Sequence, residues 1–132
     1  MSDLNPKRHL AALTLVVPDY DEAICWYVDI LGFQLIEDKH LGAQKRWVLL
    51  SAGSGSHLLL AKADGPKQQS SIGNQTGGRV FLFLETDDFW RDYKLYKSKG
   101  VFFEEGPRTE PYGIVAVFKD LFGNRWDLIQ RR

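Results

Sequence analysis

The sequence predicts an α+β fold in which two tandem βαβββ modules form curved sheets around a shared cleft. Three observations lead there. The order strand, helix, strand, strand, strand can be read twice along the chain. A shift of 68 residues carries Glu37 onto Glu105, Gly55 onto Gly123 and Leu59 onto Asp127. Each helix is bracketed alike, from Asp19 to Gly32 in the first half and from Asp87 to Gly100 in the second, 13 residues in both cases. Internal duplication of this kind marks a unit too small to close a core alone.

The elements follow in order. HLAALTLVV, residues 9–17, is apolar and β-branched toward its end, and Pro18 stops it, so it reads as the first strand. Asp19 reads as a helix N-cap, with Glu22 three residues on in capping-box position. Ala23, Ile24, Tyr27, Ile30 and Leu31 recur at helical spacing and give one buried stripe, which Gly32 ends. FQLIED, residues 33–38, alternates as a strand should. KRWVLLSA and SHLLLAKA are two more strands, joined by Gly53, Ser54 and Gly55. Residues 62–79, KADGPKQQSSIGNQTGGR, read as a linker or mobile loop. RVFLFLET is then a strand, DDFWRDYKLYKSKG a capped helix, and VFFEEG, GIVAVFKD and RWDLIQ three strands. The expectation is one domain over residues 1–132, with module one at about 9–63, a linker at about 64–78 and module two at about 79–130.

Composition narrows the function classes. Hydrophobic residues make up 44% of the chain and charged residues 26%, as in ordinary globular domains. Seventeen basic and seventeen acidic residues cancel, so neither nucleic acid nor an acidic membrane surface is an expected partner. The Arg131–Arg132 pair reads as a solvated terminus. No apolar run is long enough for a signal peptide or a membrane span. The single cysteine, Cys25, reads as a buried or half-buried structural thiol and fits a cytoplasmic protein.

The segments LTLVVPDYDEAICWYVDILGFQL and VFKDLFGNRWDLI carry a resemblance. A hydrophobic strand is followed by an Asp. The helix carries an aromatic pair, Trp26–Tyr27, and closes on Leu-Gly-Phe. An Asp followed by Gly-Asn leads into a strand with one acidic residue. In these features the chain resembles the vicinal oxygen chelate superfamily, which includes glyoxalase I, bleomycin-resistance proteins and extradiol dioxygenases, over residues 10–130. Superfamily members host unrelated chemistries on one scaffold, so the resemblance implies a fold before it implies a reaction.

Members that use a metal, the resemblance implies, place a His in the first strand of each module and a Glu or similar residue in the last. The corresponding positions here are Ala12, Leu59, Phe81 and Asp127. Three of these are hydrocarbon, and one carboxylate does not repay the desolvation of a divalent ion. No metal ion and no other cofactor is therefore expected. Glu85, His57 and Asp127 are the candidates for a displaced site, but they lie at different depths along their strands. His9, His40 and His57 are not clustered by spacing and read as surface or strand-end residues.

Strand alternation groups Thr14 with Ala12, His57 with Leu59, and Phe81 and Phe83 with Glu85. The expected ligand-binding set is Thr14, Trp47, Leu59, Phe81, Phe83, Glu85, Tyr112 and Asp127, with Ala12 and Ala61 beside them and Arg46 as a possible counter-charge. Such a lining suits a small, flat, partly cationic or hydrogen-bond-donating organic molecule. Any one of these aromatics taken singly reads as core; all of them together with two acids read as a ligand trough. Asp, depleted in strands, leaves Asp127 three roles. It could anchor a ligand, remain as a vestigial ligand position paired with Arg46, Arg125 or water, or act as a general base with its pKa raised by apolar surroundings. No catalytic residue is assigned; Asp127 and Glu85 are the candidates a metal-free reaction would use.

The leading expectation is a metal-independent superfamily protein that binds a small hydrophobic or aromatic molecule between its modules, by sequestration as in bleomycin-resistance proteins. The alternatives are a lactoylglutathione-lyase-like (glyoxalase) enzyme and a non-catalytic dimeric scaffold. A dioxygenase would need a facial iron triad that the sequence lacks. The expected partners are a small-molecule ligand and a second copy of the chain in a homodimer.

Overall fold

A computed structural model of the chain describes residues 7–132. Its first module runs β1 (Ala12–Val17), α1 (Tyr20–Cys25), β2 (Gln34–Gly42), β3 (Lys45–Ser51) and β4 (His57–Lys62). A short helix, α2 (Gly65–Gln69), lies in the connection. The second module runs β5 (Leu82–Glu85), α3 (Phe89–Ser98), β6 (Phe102–Glu110), β7 (Gly113–Lys119) and β8 (Arg125–Arg131). Two four-stranded sheets result, in the orders β1-β4-β3-β2 and β5-β8-β7-β6, so the α+β class and the duplicated topology are as the sequence predicts.

The repeat extends to detail. In each sheet the first and last strands of the module pair in parallel, with Thr14 opposite Leu59 and Phe83 opposite Asp127. Each sheet carries a β-bulge at the same place, between Leu35 and Glu37 in one and between Phe103 and Glu105 in the other. Such bulges bend a strand and increase its twist, which curves the sheets.

The helices correct the constant offset. The carboxylate of Asp19 accepts from the Glu22 backbone N–H at 2.8 Å, but in the second module the cap is Asp88, not Asp87, accepting from Arg91 N–H at 3.1 Å. The halves are therefore 69 residues apart before the helix and 68 after it. The first helix absorbs the difference. Beyond Cys25 it continues as a π-helical turn, Trp26–Ile30, in which Leu31 N–H reaches back to the Trp26 carbonyl at 3.3 Å. A π turn accommodates one extra residue without disturbing the flanking helix. Gly32 and Gly100 then close the two helices with positive φ, 77° and 86°, which glycine adopts without steric cost.

Other expected bounds shift as well. The first strand begins at Ala12, and Leu10 before it is exposed. Cys25 is exposed rather than buried, because it faces away from the stripe made by Ala23 and Tyr27. Arg131 ends β8 and pairs with Glu85 at 3.0 Å, and both it and Arg132 after it are exposed, as expected of a solvated basic pair.

One core serves both modules. Leu15, Leu50 and Leu60 from the first sheet join Phe118, Trp126 and Leu128 from the second. Tyr27 and Tyr96, each eight residues after its helix cap, cross between modules: Tyr27 O–H donates to Asp120 at 2.6 Å and Tyr96 O–H to the Leu31 carbonyl at 2.9 Å. The connection between modules is also tied down. The Gln75 side-chain amide pairs with both backbone groups of Val16 on the open edge of β1, at 3.4 and 3.2 Å. That covers an edge that would otherwise template another strand. Gly73 packs so closely on the β7–β8 turn that a Cβ there would sit 2.1 Å from the Phe122 carbonyl oxygen.

Candidate functional site

Strand pleating gives each sheet one face in the shared core and one open face. On the first sheet, Leu15 and Leu60 point inward, while Thr14, Leu59 and Trp47 point to the open side. A cleft of about 730 Å³ lies there, within the range typical of small-molecule sites. Thr14, Leu59, Ala61 and Trp47 form its floor and wall, and Tyr20 from the start of α1 closes its inner end. Leu41, Ala43, Gln44 and Lys45 of the β2–β3 hairpin and Lys62, Asp64 and Gln68 beyond β4 form the rim. Trp47 is steadied by its indole N–H, which donates to Glu37 at 3.4 Å.

Arg46 is held on the same strand end. Its guanidinium spans Asp38 at 2.7 Å and Asp21 at 2.9 Å and lies over the Tyr20 ring at 5.1 Å. Both carboxylates hold its proton more firmly than usual. Arg46 is thus engaged within the first module and is not the counter-charge of Asp127.

The expected lining divides into groups. Thr14, Trp47 and Leu59 come together in the cleft. Phe83, Glu85 and Asp127 share the open face of the second sheet, where Phe83 is 65% exposed and Glu85 pairs with Arg131. Phe81 precedes β5 and packs edge-on against Trp126, with ring centres 6.4 Å apart. Tyr112 sits in the turn between β6 and β7, where its carbonyl accepts from Arg132 N–H at 2.9 Å. Asp127 is half-buried, and burial pushes its carboxyl pKa up, partly offset by Arg108 and Arg125 nearby. The Arg125 side chain itself pairs with Glu104 at 2.6 Å.

The four positions that hold a metal in superfamily members do not fit a divalent ion here. Ala12 and Leu59 offer no lone pair, Phe81 is turned onto Trp126, and Asp127 is the one carboxylate. His57 belongs to the first sheet and Glu85 is paired, so they do not assemble a displaced site with Asp127. Among the described residues, no three His, Cys, Asp or Glu side chains gather closely enough to hold an ion.

Sequence reasoning missed Tyr20, Lys45 and Lys62. Lysines at strand ends read as surface charge, and only the pairing of β3 with β4 brings them to one cleft. The Asp120 network was within reach of the sequence, in the DLFGN turn. Asp120 is buried and accepts from Phe122 N–H, Asn124 N–H, the Asn124 side-chain amide and Tyr27 O–H, between 2.6 and 3.0 Å.

Comparison with known proteins agrees with this fold. A family model described as the Glyoxalase/Bleomycin resistance protein/Dioxygenase superfamily matches residues 9–128. An uncharacterized protein of Shewanella frigidimarina (strain NCIMB 400) is 54% identical over 127 residues, covering 94% of each chain. The crystal structure of UcmS2 superposes with a TM-score of 0.80 at 25% identity, over 94% of this chain and 98% of that one. TnmS3, an antibiotic binding protein from Streptomyces sp. CB03234, superposes with a TM-score of 0.76 at 29% identity, over 95% and 97%. Among the described residues, no helix is long and apolar enough to cross a membrane.

Proposed function

The chain belongs to the Glyoxalase/Bleomycin resistance protein/Dioxygenase superfamily, and from that premise we propose that it binds a small hydrophobic or aromatic molecule without a metal, acting by sequestration in the cytoplasm. The observation that carries this reading is the cleft on the first sheet, with the Trp47 indole and aliphatic walls around a floor of small residues. Aromatic side chains supply stacking area at little entropic cost. The likeness to an antibiotic binding protein supports the same reading. A lyase of the glyoxalase kind receives less support, because three of the four ligand positions carry no donor atom.

A second copy of the chain is part of the proposal. Phe83 is an exposed aromatic on an open sheet face, flanked by Asp127 and the Glu85–Arg131 pair. Laid against the first sheet of a partner, that face would close the cleft and bring Phe83 to the ligand, while Glu85 stays on Arg131 and Asp127 lies beside Arg108 and Arg125. The expected residues Thr14, Trp47, Leu59 and Phe83 would then act together across two chains.

Thermal-shift screening of untagged protein against planar aromatic compounds tests the reading. A ligand at 100 times its Kd adds about 2.7 kcal/mol to native stability and raises the Tm. Metal analysis of the same sample is the counter-test. A stoichiometric divalent ion that chelator removes together with lyase activity toward methylglyoxal and glutathione would overturn it. Light scattering reports the dimer.

A further inference from the structure

The charge around the cleft defines its ligand more narrowly. Three cations line it, Lys45, Arg46 and Lys62, against one carboxylate, Asp64. Arg46 is neutralised by Asp38 and Asp21. The other two cations are not. Lys62 has only the Gln44 side-chain oxygen, at 3.5 Å, and among the described residues the Lys45 ammonium has no hydrogen-bond or ion-pair partner. Glu85 and Asp127, the carboxylates that would favour a cation, lie on the other sheet. The apolar part of the site is equally specific. Thr14, Ala61 and Ala63 leave a flat floor beside the Trp47 ring, which its bond to Glu37 keeps from rotating freely.

We propose that the cleft recognises a planar aromatic acid, its rings laid between Trp47 and the small-residue floor and its carboxylate held by Lys45 and Lys62 at the rim. The assignment rests on the binding function proposed above and gives that site its chemical class. It reverses the cationic ligand that the sequence alone leads one to expect, because the sequence pools acids from two sheet faces into one lining. Ammonium groups hold a carboxylate by charge-assisted hydrogen bonds, and at a solvent-open rim that attraction weakens with salt.

The test is calorimetric titration of the full chain at pH 7.5 with three probes of one shape: 2-naphthoic acid, 2-naphthamide and 2-naphthylmethylammonium. The acid is expected to bind about tenfold more tightly than the amide, the combined effect of two exposed charge pairs, and the ammonium more weakly than both. Raising NaCl from about 50 to 500 mM should erase most of the acid's advantage and leave the amide unchanged. K45Q/K62Q should bring the acid to the level of the amide, while K94Q, on the helix of the second module, should leave the ratio as it is. If all three probes bind alike, or the ammonium binds best, the acid assignment is wrong and the binding cleft stands. If the acid's preference survives in K45Q/K62Q, the lysines are not its cause and the proposal fails. If none binds, the aromatic-binding reading falls and the acid assignment with it.

Discussion

Replacing Tyr27 by Phe removes one oxygen atom and tests how the two modules are joined. Tyr27 is fully buried, and its O–H donates to Asp120 Oδ2 at 2.6 Å. Asp120 is 5% exposed, with three further donors, Phe122 N–H, Asn124 N–H and the Asn124 amide, and none of its donors carries a positive charge. The carboxylate therefore depends on neutral donors alone. A hydrogen bond to a charged group contributes about 1.5–3 kcal/mol, and its loss leaves part of a buried charge unsolvated. Tyr27→Phe should thus cost about 2 kcal/mol at pH 7, a fall in Tm of roughly 8 °C for a domain of this size. Urea unfolding followed by far-UV circular dichroism measures it. In a double-mutant cycle with Asp120→Asn, the coupling should exceed about 1 kcal/mol.

The pH dependence adds a second signature. Burial raises the Tyr27 hydroxyl pKa well above 10, and the neighbouring Asp120 charge raises it further. The folded value then exceeds the unfolded one, which lies near 10. The stability this contributes is complete below about pH 10 and is lost as pH climbs from there toward the folded value, by up to about 1.4 kcal/mol per pH unit. The advantage of wild type over Tyr27→Phe should therefore shrink between pH 9 and pH 11. A variant within about 0.5 kcal/mol of wild type at pH 7, or a gap unchanged at pH 11, would refute the account.

Other outcomes can be checked beside it. Asp127→Asn should raise the Tm at pH 7, because a carboxyl whose folded pKa is raised loses stability as pH rises through that pKa; at pH 3, where it is protonated in both states, the Tm should not change. Gly73→Ala should destabilise by more than about 1 kcal/mol and expose the connection to limited proteolysis, since φ is +72° and the new Cβ would meet the Phe122 carbonyl. Arg46→Lys keeps the charge but loses the two-pronged contact with Asp38, and urea titration should register a loss of about 1 kcal/mol that 0.5 M NaCl diminishes.

The fold is legible in the sequence because its punctuation is strong. Pro18, Gly32 and Gly100 stop elements for reasons intrinsic to their backbones, and Asp19 caps its helix through its own carboxylate. The choice between Asp87 and Asp88 is not legible, because adjacent aspartates are equally good caps and nothing in WYVDI announces a π turn. Half of the site is legible for a similar reason. Alternation along one strand groups Thr14 with its neighbours, but it does not say whether the open faces of two sheets meet within one chain. That is why Phe83 and Asp127 are grouped with Leu59 on the page of the sequence and stand apart from it in the fold.

The additional residue in the first helix makes the duplicated halves unequal parts. The helix segment of the second half, grafted in place of residues 19–32, would bring its cap and tyrosine into position and then arrive one residue short of the glycine. Each residue of a helix advances it by about 1.5 Å and turns it by about 100°, so the following strand would be tugged inward and rotated out of register. The two halves are thus interchangeable in their sheets but not in this one helical turn.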